Sequence, residues 1–159
     1  MTAVLEAGFT GAALMYTGPV KTRAEVEDAL RAGVTRFSVE SVHDYRRVAA
    51  GAAMLGRTAE CLLRLNAHES HGTSGLRMTG TASQFGTDSA AVTADPELFA
   101  PLPGAHIIGM HFFALSNARD EEGLFASLVA SITEAARVHR ETASTKARSP
   151  AGTPGTAGA

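Results

Sequence analysis

Short apolar runs alternate with capped, helix-patterned stretches along this chain, with few residues between them, and that alternation narrows the possible folds sharply. Ala12 to Thr17 is an apolar run closed by Gly18-Pro19, the pattern of a buried strand. Thr22 followed by Glu25 is a capping box that opens a helix; Val26, Ala29 and Leu30 form its apolar stripe, and Gly33 marks its end. The unit then repeats. Arg36 to Glu40 reads as a second strand. Ser41 with Asp44 caps a helix whose face carries Tyr45, Val48, Ala52 and Leu55, and Gly56 closes it. Ala59 to Leu65 is a third strand, almost continuously apolar, as parallel strands covered on both faces are. Ala105 to Leu115 is a fourth, and Asp120 then caps a helix with Leu124, Leu128, Val129, Ile132 and Ala136 on one side.

The connecting segments are less regular. His68 to Ala82 is rich in Gly, Ser and Thr and reads as a loop, while Asp88 to Leu102 is weakly helical and broken by Pro96 and Pro101. From Glu141 the chain is Ala, Thr, Ser, Pro and Gly, a composition expected of a disordered tail. One folded domain over residues 1–140, followed by a tail over 141–159, is therefore expected.

Four such repeats predict an α/β fold with parallel strands. The right-handed crossover rule leaves two architectures, an open doubly wound sheet or about four βα units of a (β/α)8 barrel. A complete barrel takes ~250 residues, and a partial one exposes two strand edges. The pattern alone leaves both open.

Composition excludes several classes of partner. A net charge of −2 in 159 residues gives no electrostatic basis for binding nucleic acid or an anionic membrane. No apolar run approaches the ~20 residues of a membrane span. The start, MTAVLEAGFTGAALMY, has no basic n-region and is not read as a signal peptide. The one cysteine, Cys61, lies in an apolar run, which excludes an internal disulfide and fits a reducing cytoplasm.

Ligands of parallel α/β folds sit at the C-terminal ends of the strands. That rule selects Thr17 and Gly18, Glu40 and Ser41, Arg64 and Asn66, and the stretch His111 to Ser116. His111 interrupts an apolar strand; an imidazole there stacks on a planar ligand or shuttles a proton, or is a core histidine with one hydrogen bond. Arg64 cannot lose its charge, so on a buried strand it needs an anionic partner, either a ligand oxygen or Glu40 on the neighbouring strand. Ser116 offers a hydroxyl for a phosphate or serves as a helix-entry residue. Two histidines and a carboxylate in His68-Glu69-Ser70-His71 have zinc-ligand chemistry, but a Ser/Gly-rich loop fixes no geometry, and no metal site is expected. No GxSxG, GxGxxG or GxxxxGK[ST] motif occurs.

Five segments together resemble one family. TGPVKTRAEVEDALRAGV from Thr17, with its Gly-Pro-x-Lys turn, FSVESVHDYRRV from Phe37 and CLLRLNA from Cys61 are similar to three successive strand regions of the fold-type III pyridoxal-phosphate (PLP) decarboxylases, the diaminopimelate and ornithine decarboxylase family. SQFGTD resembles its Lys-Phe-Gly-x-Asp signature with Gln84 in place of lysine, and GMHFFALSNARDEEGLFASL from Gly109 resembles its histidine-bearing strand and the following helix. The resemblance covers Ala12 to Val138 and implies a partial (β/α)8 barrel of the alanine racemase-like kind.

That resemblance implies a cofactor, pyridoxal phosphate, and roles for three residues. His111 matches the histidine that stacks on the PLP ring, Arg64 the arginine that reaches toward its phenolic oxygen, and Ser116 a serine near its phosphate, with Leu115 where a glycine is expected. The implied activity is decarboxylation of an amino acid or of a carrier-protein-linked aminoacyl group. The family's Schiff-base lysine lies on a strand preceding the matched segments, and neither Lys21 nor Lys146 matches it. The phosphate loop and the C-terminal β-domain also lie outside them. A truncated or split form, inactive alone, is therefore expected, working as a homo-oligomer or with a complementing chain. The alternative is a non-catalytic half-barrel subunit or oligomerisation module.

Overall fold

A computed structural model describes residues 2–66, 86–113 and 120–148. In chain order they form α1 (Thr2–Glu6), β1 (Met15–Tyr16), α2 (Arg23–Arg31), β2 (Arg36–Val39), α3 (Val42–Met54), β3 (Ala59–Asn66), β4 (Thr87–Asp88), α4 (Ser89–Ala94), β5 (Ala105–Phe112) and α5 (Glu121–Arg148). All strand pairs are parallel, and β1, β2, β3 and β5 lie side by side in chain order. A doubly wound sheet reverses its strand order at a switch point. No reversal occurs here, so of the two architectures the described strands follow the barrel type.

Local chemistry explains the helices. The Thr22 hydroxyl accepts from the Glu25 amide while the Glu25 carboxylate accepts from the Thr22 amide, the reciprocal cap expected from the sequence. The Ser41 hydroxyl accepts from the Asp44 amide at the start of α3. Gly104, just before β5, has φ +88, and a Cβ there would meet the Ala49 carbonyl and lie 2.5 Å from the Ala53 amide nitrogen. Only glycine lets β5 approach α3 this closely.

The alternation of β3 splits the sheet into two faces. Ala59, Cys61, Leu63 and Leu65 are buried against the helices, and Glu60, Leu62, Arg64 and Asn66 point to the opposite, inner face. Phe37 and Val39 join the helix side, where Val26, Leu30, Tyr45, Val48 and Ala52 close the core. Each such fully buried aliphatic contributes about 1.5–3 kcal/mol relative to exposure. The Tyr45 hydroxyl crosses this core to donate to the Ala105 carbonyl at 3.0 Å and the Ala100 carbonyl at 3.1 Å.

Two expectations are corrected. The first strand shrinks to Met15–Tyr16, because Gly11–Ala13 forms a 3-10 turn seated against the main chain of Ala32 and Gly33. The tail expected from Glu141 begins helically: α5 continues to Arg148, carried by the Arg137–Glu141 ion pair at 2.7 Å and by the Thr142 and Thr145 hydroxyls, which donate to carbonyls one turn back. The apolar side of α5 is not a core face here, since Leu124, Phe125, Leu128, Val129 and Ile132 are all exposed. The expected His68 to Ala82 loop, with its histidine cluster, lies outside the described residues, as do Gln84, Leu115 and Ser116.

Candidate functional site

The inner face is polar where the helix side is apolar. Arg36 and Glu60 pair on it at 3.1 Å, Ser38 follows, and Glu40 and Arg64 pair at 2.6 Å near the C-terminal end. In parallel register, facing residues share a face.

His111 reaches this face through an irregularity in β5. Cys61 faces Ile107 but Leu62 faces Gly109, so Ile108 is an extra residue, a β-bulge, and lies 47% exposed. Before the bulge Ala105 and Ile107 share the face of Ala59 and Cys61, toward the helices. After it the alternation is inverted, and His111 lies in register with Arg64 on the inner face.

His111 Nδ1 lies 2.7 Å from the buried Ser38 hydroxyl, which fixes the ring in place. Burial and the neighbouring Arg64 cation hold the imidazole below its usual pKa, with Glu40 opposing. The ring is therefore neutral at pH 7. The Arg64 guanidinium donates to Glu40 and lies 5.6 Å from the centre of the exposed Phe113 ring. Of the two partners open to Arg64 in the sequence, Glu40 takes the charge pair. His111 is bonded through a side-chain hydroxyl rather than through the main chain.

The structure thus brings together two of the three residues selected for a cofactor, Arg64 and His111; Ser116 lies outside the described residues. Ser38 was not selected by the sequence, although a polar residue amid the apolar positions of β2 signals its inner-face position. No group of three or more potential metal ligands occurs among the described residues. Cys61 is buried and its thiol is pushed up to about 12 by burial, so it is inert at neutral pH. Lys21, a candidate amine by residue type, is buried in an ion pair with Asp44 at 2.7 Å. No helix among the described residues is long and apolar enough to cross a membrane.

A neutral imidazole beside an arginine at the C-terminal end of a parallel sheet has the donor chemistry to face a planar, anionic aromatic ring. Comparison with known proteins gives this face a context. The family described as "Pyridoxal-dependent decarboxylase, pyridoxal binding domain" matches residues 1–147. Among characterised relatives, the chain is 27% identical over 122 residues to an L-glutamyl-[BtrI acyl-carrier protein] decarboxylase of Niallia circulans, covering 77% of this chain and 28% of that protein. It is 37% identical over 108 residues to a diaminopimelate decarboxylase of Neisseria meningitidis, covering 67% and 26%. The chain thus spans about a quarter of the length of these relatives. Among solved structures, diaminopimelate decarboxylase from Helicobacter pylori complexed with L-lysine superposes with a TM-score of 0.68 at 19% identity, over 91% of this chain and 36% of that one. AQ1208 from Aquifex aeolicus superposes equally well, at 0.68 and 21% identity, over 88% and 31%. The fold is that of the barrel domain in the Helicobacter pylori decarboxylase, and the chain belongs to the pyridoxal-dependent decarboxylase family through its pyridoxal binding domain.

Proposed function

We propose that this chain forms the cofactor-facing wall of a PLP-dependent decarboxylase that acts on an amino acid or on an aminoacyl group carried by a carrier protein. The observation that carries this reading is the bulge at Ile108, which turns His111 onto the inner face beside Arg64. A strand that only packed against the helices would need no such inversion. The relatives that act on an acyl-carrier-protein substrate and on diaminopimelate support the two substrate classes.

Within the site, His111 offers a neutral planar face, oriented by Ser38. Arg64, braced by Glu40, offers cationic donors to an anionic oxygen. PLP, when bound, supplies the sink for the electron pair left as the carboxylate departs as CO2. Family chemistry also needs a lysine, and Lys21, itself fully buried, is held by Asp44 in an ion pair. The lysine and the phosphate cradle are therefore supplied by other segments, in the same or another polypeptide, and the 159 residues alone are inactive.

Exposure to PLP followed by borohydride reduction tests this. Peptide mapping should find no covalent adduct at Lys21, and CO2 release from free amino acids should stay at background. A stoichiometric adduct at Lys21, or turnover by the 159 residues, would overturn the reading.

A different observation favours a second reading, a non-catalytic half-barrel subunit. Among the described residues no strand pairs with the outer edge of β1 or β5, and the α5 face from Leu124 to Ile132 is uncovered apolar surface. Specific binding of a PLP analogue at His111 separates the first reading from this one.

A further inference from the structure

Lys21 and Asp44 form a buried ion pair, which is costly to desolvate. Lys21 is wholly buried and its ammonium donates to Asp44 Oδ2 at 2.7 Å. The other carboxylate oxygen, Asp44 Oδ1, is buried with no hydrogen-bond partner. Such a pair is poor evidence for stability, because apolar residues of equal volume often do as well or better. What a fixed buried charge provides is geometry.

The geometry leads to the inner face. Asp44 Oδ2 takes a second bond, from the Glu40 amide at 3.2 Å, at the point where β2 passes into the cap of α3. The Glu40 carbonyl accepts from the Thr87 hydroxyl at 2.7 Å. Both main-chain groups of Glu40 are therefore held, and its carboxylate reaches Arg64 at 2.6 Å. Lys21 is itself anchored, since the Arg47 guanidinium donates to its carbonyl. The loop after β1 is thus tied through one carboxylate to the end of β2.

We propose that Lys21 and Asp44 are positioning residues that lock the Glu40 main chain so that its carboxylate holds Arg64 beside His111. They act through Glu40 and need not touch a ligand. The consequence for cofactor binding rests on the function proposed above; the positioning itself does not.

A chain carrying both Lys21→Met and Asp44→Asn tests this. It removes one charge of each sign from atoms 2.7 Å apart, so their direct fields at His111 largely cancel. The readout is the His111 imidazole titration followed by NMR. The charged groups that face His111 among the described residues are Glu40 from the end of β2 and Arg64 from β3. With Glu40 released, its support for the imidazolium falls and the midpoint should drop further below the ordinary imidazole value. Glu40→Gln alone should lower it similarly, and adding the double substitution to Glu40→Gln should shift it no further. An unchanged midpoint in the double variant, or an equal further shift on top of Glu40→Gln, would overturn the proposal. Should circular dichroism show that the double variant does not fold, Asp44→Asn is read alone against the Glu40→Gln background. A non-additive shift then supports coupling through Glu40, and strict additivity refutes it. Failure of a PLP analogue to bind the unmodified chain would count against the cofactor reading and leave these outcomes untouched.

Discussion

Ser38 and His111 meet at 2.7 Å across 73 positions of sequence, and they do so because β5 carries one extra residue before the histidine. In an unbroken ladder His111 would share the face of Ala105 and Ile107 and press into the helix-side core. The bulge therefore decides whether this strand presents chemistry or packing.

Removing Ile108 should consequently leave the site in place, because the residues that remain form an unbroken ladder with Gly109 still opposite Leu62 and His111 still opposite Arg64. It would keep Met110 and Phe112 on the helix side and His111 on the inner face, for a change in stability within about 0.5–1 kcal/mol, as for other exposed positions. Urea unfolding measures this. A chain without Ile108 that loses about 2–3 kcal/mol, the cost of burying an imidazole against hydrocarbon, contradicts the assignment of the bulge.

His111 should titrate below the ordinary imidazole value of about 6.5, through burial first and Arg64 second. The native state then binds fewer protons than the unfolded state as the pH falls. Its contribution to stability is complete above the unfolded value and is lost as the pH drops through the native one. Arg64→Gln should raise the midpoint, as seen by NMR; a midpoint above the unfolded value refutes this.

Tyr45→Phe removes the hydroxyl that serves the Ala100 and Ala105 carbonyls inside the core. A cost of about 1–2 kcal/mol is expected in chemical denaturation, because the ring still fills its space while the carbonyls lose a donor.

The exposed face of α5 should drive self-association at micromolar concentrations. Replacing Phe125 and Ile132, 68% and 69% exposed, with Gln should yield a monomer in sedimentation without loss of helicity. Association that persists unchanged would place the contact elsewhere, at the open strand edges.

Much of this was legible beforehand because it is local. The caps at Thr22 and Ser41 and the stripe of α2 are settled within four residues of sequence. The bulge was not, since HIIGMHFF is apolar enough on either register that pattern cannot reveal an extra residue. The Lys21–Asp44 pair was equally hidden, because its burial depends on how the β1 loop meets α3. The length of α5 was missed because Ala and Thr, read as tail composition, also continue a helix when ion pairs flank them.

The most direct test of the central claim uses 4′-deoxypyridoxine phosphate, a PLP analogue without the aldehyde, so that binding needs no lysine. Titrated into the protein at millimolar concentration, it should perturb the NMR signals of the His111 ring and the Arg64 guanidinium first, with both responses abolished by His111→Ala in a chain that remains folded. Saturable binding that leaves His111 and Arg64 unmoved, or binding unaffected by His111→Ala, would contradict the account.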